Sequence, residues 1–231
     1  MALLKDFRPS THGLHFDNRW PPGTPNFVFA VPLLGKVRLG DASDGLCGGM
    51  AFTAADLYLA GRRPPARTDA PEGGSPLFEY IAARLLASFS IPSGVLRYYY
   101  WANTPDRDTG VRPIVRPGLA RRTIEDQVPR VIADIDRGRP ATLGLVTVRS
   151  FNPGALGRCH QVLAYGYDRT GSAITFRVYD PNQHDQDDVT ISLDAADPAR
   201  TTPITSNVSC DPIRGFFRVN YSYSDPSAIA G

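Results

Sequence analysis

The stretch HQVLAYGYDRTGSAITFRVYD, residues 160–180, decides the fold that we predict for this chain. It contains two runs rich in β-branched and aromatic residues, separated by Asp168-Arg-Thr-Gly171, and this pattern is typical of a β-hairpin. His160 opens the first run, and Asp180 follows the second. Because a hairpin returns the end of its second strand beside the start of its first, we expect Asp180 to lie next to His160.

Strand patterns continue on both sides of this hairpin, whereas helical spacing of apolar residues dominates the first half of the chain. Further strands are predicted over residues 141–148, 189–193 and 216–223. Helices are predicted over residues 46–60, from the Ser75-Pro76 cap to the Pro92 region, and over residues 128–136. Helices followed by antiparallel strands predict an α+β fold.

We expect the chain to form one domain, residues 1–231, with three successive parts. Residues 1–40 are predicted to be an irregular, proline-rich arm that wraps around the surface. Within it, residues 27–34 form an apolar run that is strand-like until Pro32. Residues 41–138 are predicted to form a mainly helical lobe, and residues 139–231 an antiparallel sheet lobe.

Composition excludes several classes of protein. Hydrophobic residues make up 42% of the chain and charged residues 21%, which is typical of a globular protein rather than a disordered one. A net charge of +2 favours neither a nucleic-acid partner nor a membrane surface. The chain has no apolar run near the ~20 residues that span a bilayer, and it has neither a signal-peptide pattern nor a disulfide framework. We therefore expect a cytoplasmic protein, with a signal-independent route of export left open.

Cys47 is the candidate nucleophile. It lies in Asp44-Gly-Leu-Cys47-Gly48-Gly49-Met50, in the first turn of a predicted helix, where backbone N–H groups and the helix dipole favour a thiolate. The two glycines weaken the helix by roughly 1 kcal/mol each, and we interpret them as leaving bare backbone for a substrate carbonyl to approach. The alternative is a buried, unreactive cysteine.

His160 and Asp180 are the candidate partners of Cys47. Of the four histidines, His160 is the one on a firmly predicted element, and a histidine at the entrance of a strand can face a cleft. Asp180 is expected to accept the Nδ1 proton of His160 and to steady the imidazolium. The alternatives are a half-buried structural histidine and a turn-forming aspartate before Pro181.

The order of these three residues resembles the papain-like cysteine peptidases, and it is nearest to the bacterial branch that includes peptidases removing double-glycine leaders. Matching motifs are Asp44-Gly-Leu-Cys47-Gly48, the run from His160 to Asp168, Tyr179-Asp180-Pro181, and residues 132–146, which fall within residues 41–192. The resemblance implies a papain-like fold and a Cys47–His160–Asp180 triad. It also implies cleavage of an amide, isopeptide or thioester bond in a peptide, protein or small acyl substrate.

One position departs from the family. Papain-like enzymes generally have a glutamine six residues before the nucleophile, where its amide helps to hold the oxyanion, and here that position is Asp41. A carboxylate would repel the developing charge, and loss of one oxyanion donor costs ~10²–10³ in rate. Asn18 or Asn26 is a candidate replacement donor, acting with the Cys47 backbone N–H.

Two alternative functions and the cofactor question complete the sequence predictions. The same triad would serve an acyltransferase, and a papain-like scaffold that has lost activity would be a non-catalytic binding protein. The acidic loop 180–188 lacks the glycine and glutamate of a calcium-binding EF-hand loop, and Cys159 and Cys210 lack zinc-ligand spacing. No cofactor and no metal is therefore predicted.

Overall fold

The computed structural model of the chain describes residues 2–20, 28–31, 35–38, 45–90, 93–111, 113–201, 203–209 and 212–231. Within these residues the fold is α+β, as predicted, with a curled antiparallel sheet and helices packed on it. The helices are α1 Pro9–His12, α2 Cys47–Leu59, α3 Pro76–Phe89, α4 Ser93–Asn103, α5 Leu119–Arg121 and α6 Val128–Asp136. A π-helical turn, Arg122–Gln127, joins α5 to α6, and a 3₁₀-helix covers Pro153–Arg158.

The strands form one large sheet and two small hairpins. They are β1 Ala2–Leu3, β2 Val28–Val31, β3 Gly35–Arg38, β4 Thr109–Val111, β5 Ile114–Arg116, β6 Ala141–Val146, β7 His160–Thr170, β8 Ala173–Tyr179, β9 Thr190–Asp194, β10 Ile204–Ser206 and β11 Gly215–Arg218. The large sheet runs in the order β10-β9-β8-β7-β6-β11, and β1 adds to the far end of β7. The pairs β2–β3 and β4–β5 are separate hairpins.

The predicted β7–β8 hairpin is confirmed, with a tighter turn than the sequence indicates. Thr170 pairs with Ala173, so the turn is Gly171-Ser172 rather than the whole of residues 168–171. Gly171 has φ +61°, a left-handed conformation that glycine adopts without a steric penalty. The register places Leu163 opposite Tyr179, which brings the residues flanking both strand ends together.

Helix α2 is the central helix. Its residues from Gly48 to Leu57 are buried, including the polar Thr53 and Asp56, and it packs between α3 and β7. The Ser75 side chain accepts a hydrogen bond from Phe78 N–H and caps α3, so the predicted start of that helix is confirmed. None of the described helices has the length and apolar character to cross a bilayer.

The sequence predicts an arm that wraps around the surface, but in the structure part of the arm is buried. Leu14, Phe16 and Trp20 are buried, and they pack with Leu46 and Phe78 in a core cluster around α2 and α3. Hydrophobic burial of these three large side chains holds this part of the chain in place. The strand predicted near residue 27 is confirmed for Val28–Val31, and Pro32 lies outside the described residues.

Two further differences from the sequence prediction have a tertiary cause. Helix α4 was not predicted, because its run of aromatic residues has modest helix propensity, yet burial of Tyr98 and Trp101 stabilises it. Strand β11 is shorter than the predicted 216–223. Its continuation leaves the sheet because Tyr221 Oη and Ser224 N–H donate to the buried carboxylate of Asp56 on α2.

Candidate active site

Cys47 is the first residue of α2, as the sequence predicts. The preceding residue, Leu46, provides no side-chain cap, so the first N–H groups of the helix have no acceptor within it. Gly45, two residues before Cys47, has φ +93°, which only glycine adopts readily. The start of α2 is therefore a turn that places the Cys47 thiol beside backbone N–H groups that have no acceptor within the helix.

The glycine pair after Cys47 serves packing, which corrects the interpretation made from the sequence. A Cβ on Gly48 would lie 2.4 Å from Ser88 Oγ, and a Cβ on Gly49 would lie 2.2 Å from the carbonyl oxygen of Ile81. Both contacts are with α3. The missing side chains therefore let α2 and α3 approach each other closely rather than exposing backbone to a substrate.

Replacing Gly49 by alanine is accordingly expected to destabilise the protein. The new methyl group would overlap a backbone atom, which cannot rotate away, and overpacking of this kind costs about 1–3 kcal/mol. Urea unfolding at equilibrium measures the change in the free energy of unfolding. Gly157→Ala is the matched control, because a Cβ there meets nothing within 4 Å. An equal, small effect of both substitutions would contradict the packing role.

His160 and Asp180 are hydrogen-bonded, as the hairpin predicts. His160 Nε2 lies 2.7 Å from Asp180 Oδ1, and the Asn182 backbone N–H donates to the same oxygen at 2.9 Å. The prediction that Asp180 engages Nδ1 is wrong. The imidazole reaches from β7 toward the end of β8 with its outer nitrogen, so Nε2 meets the carboxylate and Nδ1 is left for another partner.

That other partner is Cys47. The Cys47 side chain lies beside the His160 ring, close enough to raise the pKa of His160, and with Nε2 bound to Asp180, Nδ1 is the nitrogen left to face the thiol. The side chains of His160 and Asp180 are 18% and 12% exposed, so the set is shielded but not sealed from solvent. Sulfur, imidazole and carboxylate thus form one connected series.

Electrostatics favours a protonated histidine within this series. Burial by itself would lower the pKa of His160, but the neighbouring Asp180 carboxylate, which is hydrogen-bonded to the ring, and the nearby Cys47 side chain raise it well above its usual value. Burial would raise the pKa of Asp180, and the charge of His160 outweighs this and lowers it. The arrangement therefore favours an imidazolium beside the Asp180 carboxylate.

The series opens into a cavity of about 360 Å³ on the inner face of the curled sheet. Leu145 is paired with His160 on the neighbouring strand, and Val178, Ile191 and Ser206 continue the same face through β8, β9 and β10. Cys47, the first residue of α2, also lines this cavity. Apolar side chains therefore line part of the cavity beside the thiol. The cavity volume falls within the range of small-molecule sites.

Asn18, from the arm, also lines this cavity. Its Oδ1 accepts a hydrogen bond from Leu46 N–H at 2.5 Å, and its Nδ2 donates to Asn182 Oδ1 at 3.1 Å. A Cβ on Gly45 would lie 2.2 Å from Asn18 Nδ2, so the glycine leaves room for this carboxamide. Asn26 and Asp41, the other positions considered for the oxyanion site, lie outside the described residues.

The acidic loop after Asp180 has a structural partner that the sequence did not indicate. His15 Nδ1 lies 2.6 Å from Asp185 Oδ1, and His184 Nδ1 lies 2.7 Å from Asp17 Oδ1. These pairs join the arm to the loop across more than 160 residues of chain. No local sequence pattern reports such a contact, because its partners are distant in the chain.

Cys159 lines the same cavity but differs from Cys47. Burial raises the pKa of the Cys159 thiol, with hydrogen bonds from Thr147 and Val148 acting in the opposite direction. Cys210 lies outside the described residues. The part of the chain that the structure describes contains no group of three or more His, Cys, Asp or Glu side chains arranged to hold a metal ion. Family models, curated proteins and solved structures were each compared with the chain, and none of them matches it.

Proposed function

We propose that this protein is a papain-like cysteine hydrolase that cleaves an amide, isopeptide or thioester bond. The observation that carries the proposal is that Cys47, His160 and Asp180 line one cavity, with His160 hydrogen-bonded to Asp180 and Cys47 beside the ring. A nucleophile in hydrogen-bond contact with a base, and a third group that orients the base, is the general signature of nucleophilic catalysis. The position of the series between the helices and the sheet supports the papain-like arrangement.

The reaction follows from the protonation states. The Cys47 thiolate attacks the substrate carbonyl carbon, and His160 gives its Nδ1 proton to the departing amine or thiol, which leaves a thioester on Cys47. His160 is then neutral and takes a proton from water, which attacks the thioester and releases the carboxylic acid and the thiolate. Asp180 stays ionised throughout, fixing the ring through Nε2 and stabilising the imidazolium.

The cavity supports an apolar acyl group on the substrate. Leu145, Val178 and Ile191 line one part of it, whereas polar side chains line another part, and the carboxylate of Asp180 is bonded to His160. An apolar group that leaves water for such a surface gains about 25 cal/mol for each Å² buried. An amine acceptor in place of water would make the same acyl-enzyme a transferase.

The proposal is tested by trapping the acyl-enzyme. We expect an N-acetyl-leucine thioester to be hydrolysed, and intact-mass analysis after acid quenching should show one acyl group, located on Cys47 by peptide mapping. Adding a primary amine and measuring the ratio of amide to acid separates hydrolase from acyltransferase. A broad panel of thioesters and peptides that is bound but never turned over would favour the non-catalytic binding protein.

Reactivity without a substrate gives a second test. At about pH 6, iodoacetamide should alkylate Cys47 faster than Cys159, because Cys47 faces an imidazolium whereas burial raises the pKa of Cys159. Site-resolved mass spectrometry after limited labelling measures both rates, and that of Cys210. His160→Ala should remove the advantage of Cys47. Equal labelling of all three thiols in the wild type would contradict an activated nucleophile.

A further inference from the structure

We infer that Asn18 of the arm is the oxyanion donor of this site, acting together with the backbone N–H of Cys47. The inference rests on the proposed function, because it assigns a residue to the same reaction. When the thiolate attacks, the substrate carbonyl oxygen becomes an anion and needs donors aimed at it. The described residues place one side-chain amide, that of Asn18, beside the residue that precedes the nucleophile.

The orientation of the Asn18 carboxamide is set by its contacts. Its oxygen accepts the hydrogen bond from Leu46 N–H, so its nitrogen takes the opposite side. The amide nitrogen carries two hydrogens, and Asn182 Oδ1 accepts one of them at 3.1 Å. The second hydrogen is the one that we assign to the oxyanion.

The position of Asn18 matches this role. Asn18, Cys47 and His160 all line the same cavity. Cys47 is the first residue of α2, so its N–H has no acceptor within the helix. Gly45 provides the space for the carboxamide, since any side chain there would overlap Asn18 Nδ2. A neutral amide and a backbone N–H are thereby brought to one end of the cavity, beside the sulfur.

The arm is held firmly enough for a catalytic role. On one side Phe16 and Trp20 are buried in the core, and on the other Asn18 N–H donates to the carbonyl oxygen of Pro181 at 2.9 Å. The two His–Asp pairs, which involve His15 and Asp17 of the arm, add further links to the loop next to this contact. A donor that is already in position needs no reorganisation during the reaction, which is what makes such donors effective.

The decisive variant is Asn18→Asp. It is nearly isosteric and keeps an oxygen to accept from Leu46 N–H, but it removes the donor and adds a negative charge. We expect kcat/KM on the thioester to fall by at least about 10²–10³-fold, and Asn18→Ala to give a loss of about 10²-fold. Asn220→Ala, an exposed asparagine remote from Cys47 in the chain, should leave kcat/KM unchanged.

Alkylation separates a catalytic role from a structural one. Iodoacetamide reacts with the thiolate without forming an oxyanion, so Asn18→Ala should alkylate at Cys47 at the wild-type rate, with a melting temperature lowered only by the loss of the hydrogen bonds to Leu46 and Asn182. Equal losses in alkylation, melting temperature and turnover would show a structural role and overturn the inference. Unchanged kcat/KM in both Asn18 variants would overturn it and leave the proposed function standing. A wild type that turns over no thioester would overturn both.

Discussion

Cys47→Ala is expected to lower the turnover of a thioester substrate by on the order of 10⁴–10⁶-fold, the largest effect of any single substitution in this chain. The sulfur is the atom that forms the covalent bond, and alanine has no nucleophilic atom to replace it. Steady-state release of the free thiol from the substrate measures the loss. Intact-mass analysis of the same variant should show no acyl group after quenching.

Cys159→Ala is the matched control for Cys47→Ala. It removes a second thiol from the same cavity but leaves the Cys47–His160–Asp180 series untouched, so turnover should stay within about tenfold of the wild type. His160→Ala combined with Cys47→Ala should be no worse than either alone, because groups that act as one unit are strongly non-additive. If Cys159→Ala lowered turnover more than Cys47→Ala, the nucleophile would be Cys159 and the assignment of Cys47 would be wrong.

The part of the site that depends on local pairing could be predicted from the sequence. His160 and Asp180 lie at the ends of one hairpin, and the strand period together with the short turn at Gly171 is enough to bring them together. The choice of ring nitrogen could not be predicted. It depends on the side-chain torsions of His160 in the folded cavity, and the sequence pattern carries no information about them.

The part that depends on long-range packing was mostly missed. The arm looks irregular because Leu14, Phe16 and Trp20 do not follow a helix or strand period, yet each is buried against helices that come later in the chain. The two glycines after Cys47 were given a role toward substrate because their α3 partners are about 30–40 residues away and leave no local trace. Asn18 was named as a candidate donor, but its anchoring by Leu46 and Asn182 required the tertiary structure.

Asp180→Asn is expected to lower kcat/KM by about 10³–10⁴-fold, the second largest effect. An asparagine fills the same space, but it carries no charge to stabilise the imidazolium. Asn182→Ala is the matched comparison and should cost far less. The contact of Asn182 with Asp180 is made by its backbone N–H, which alanine retains, and its side chain contacts Asn18 instead. If Asn182→Ala were the more damaging change, the orienting role would belong to the asparagine.

The pH dependence of the same variant tests the electrostatic argument. Asp180 raises the pKa of His160, so Asp180→Asn should lower it and move the basic limb of the kcat/KM profile to lower pH. The pH dependence of folding stability should follow from the same pKa shifts of His160 and Asp180. The raised pKa of His160 stabilises the fold fully below its unfolded value of about 6.5, and this contribution is lost as pH rises through the folded value. The lowered pKa of Asp180 contributes above its unfolded value and is lost as pH falls through the folded one. The melting temperatures of wild type and Asp180→Asn should therefore differ most between these two limits. A basic limb that stays in place in Asp180→Asn would show that the carboxylate does not set the protonation of His160.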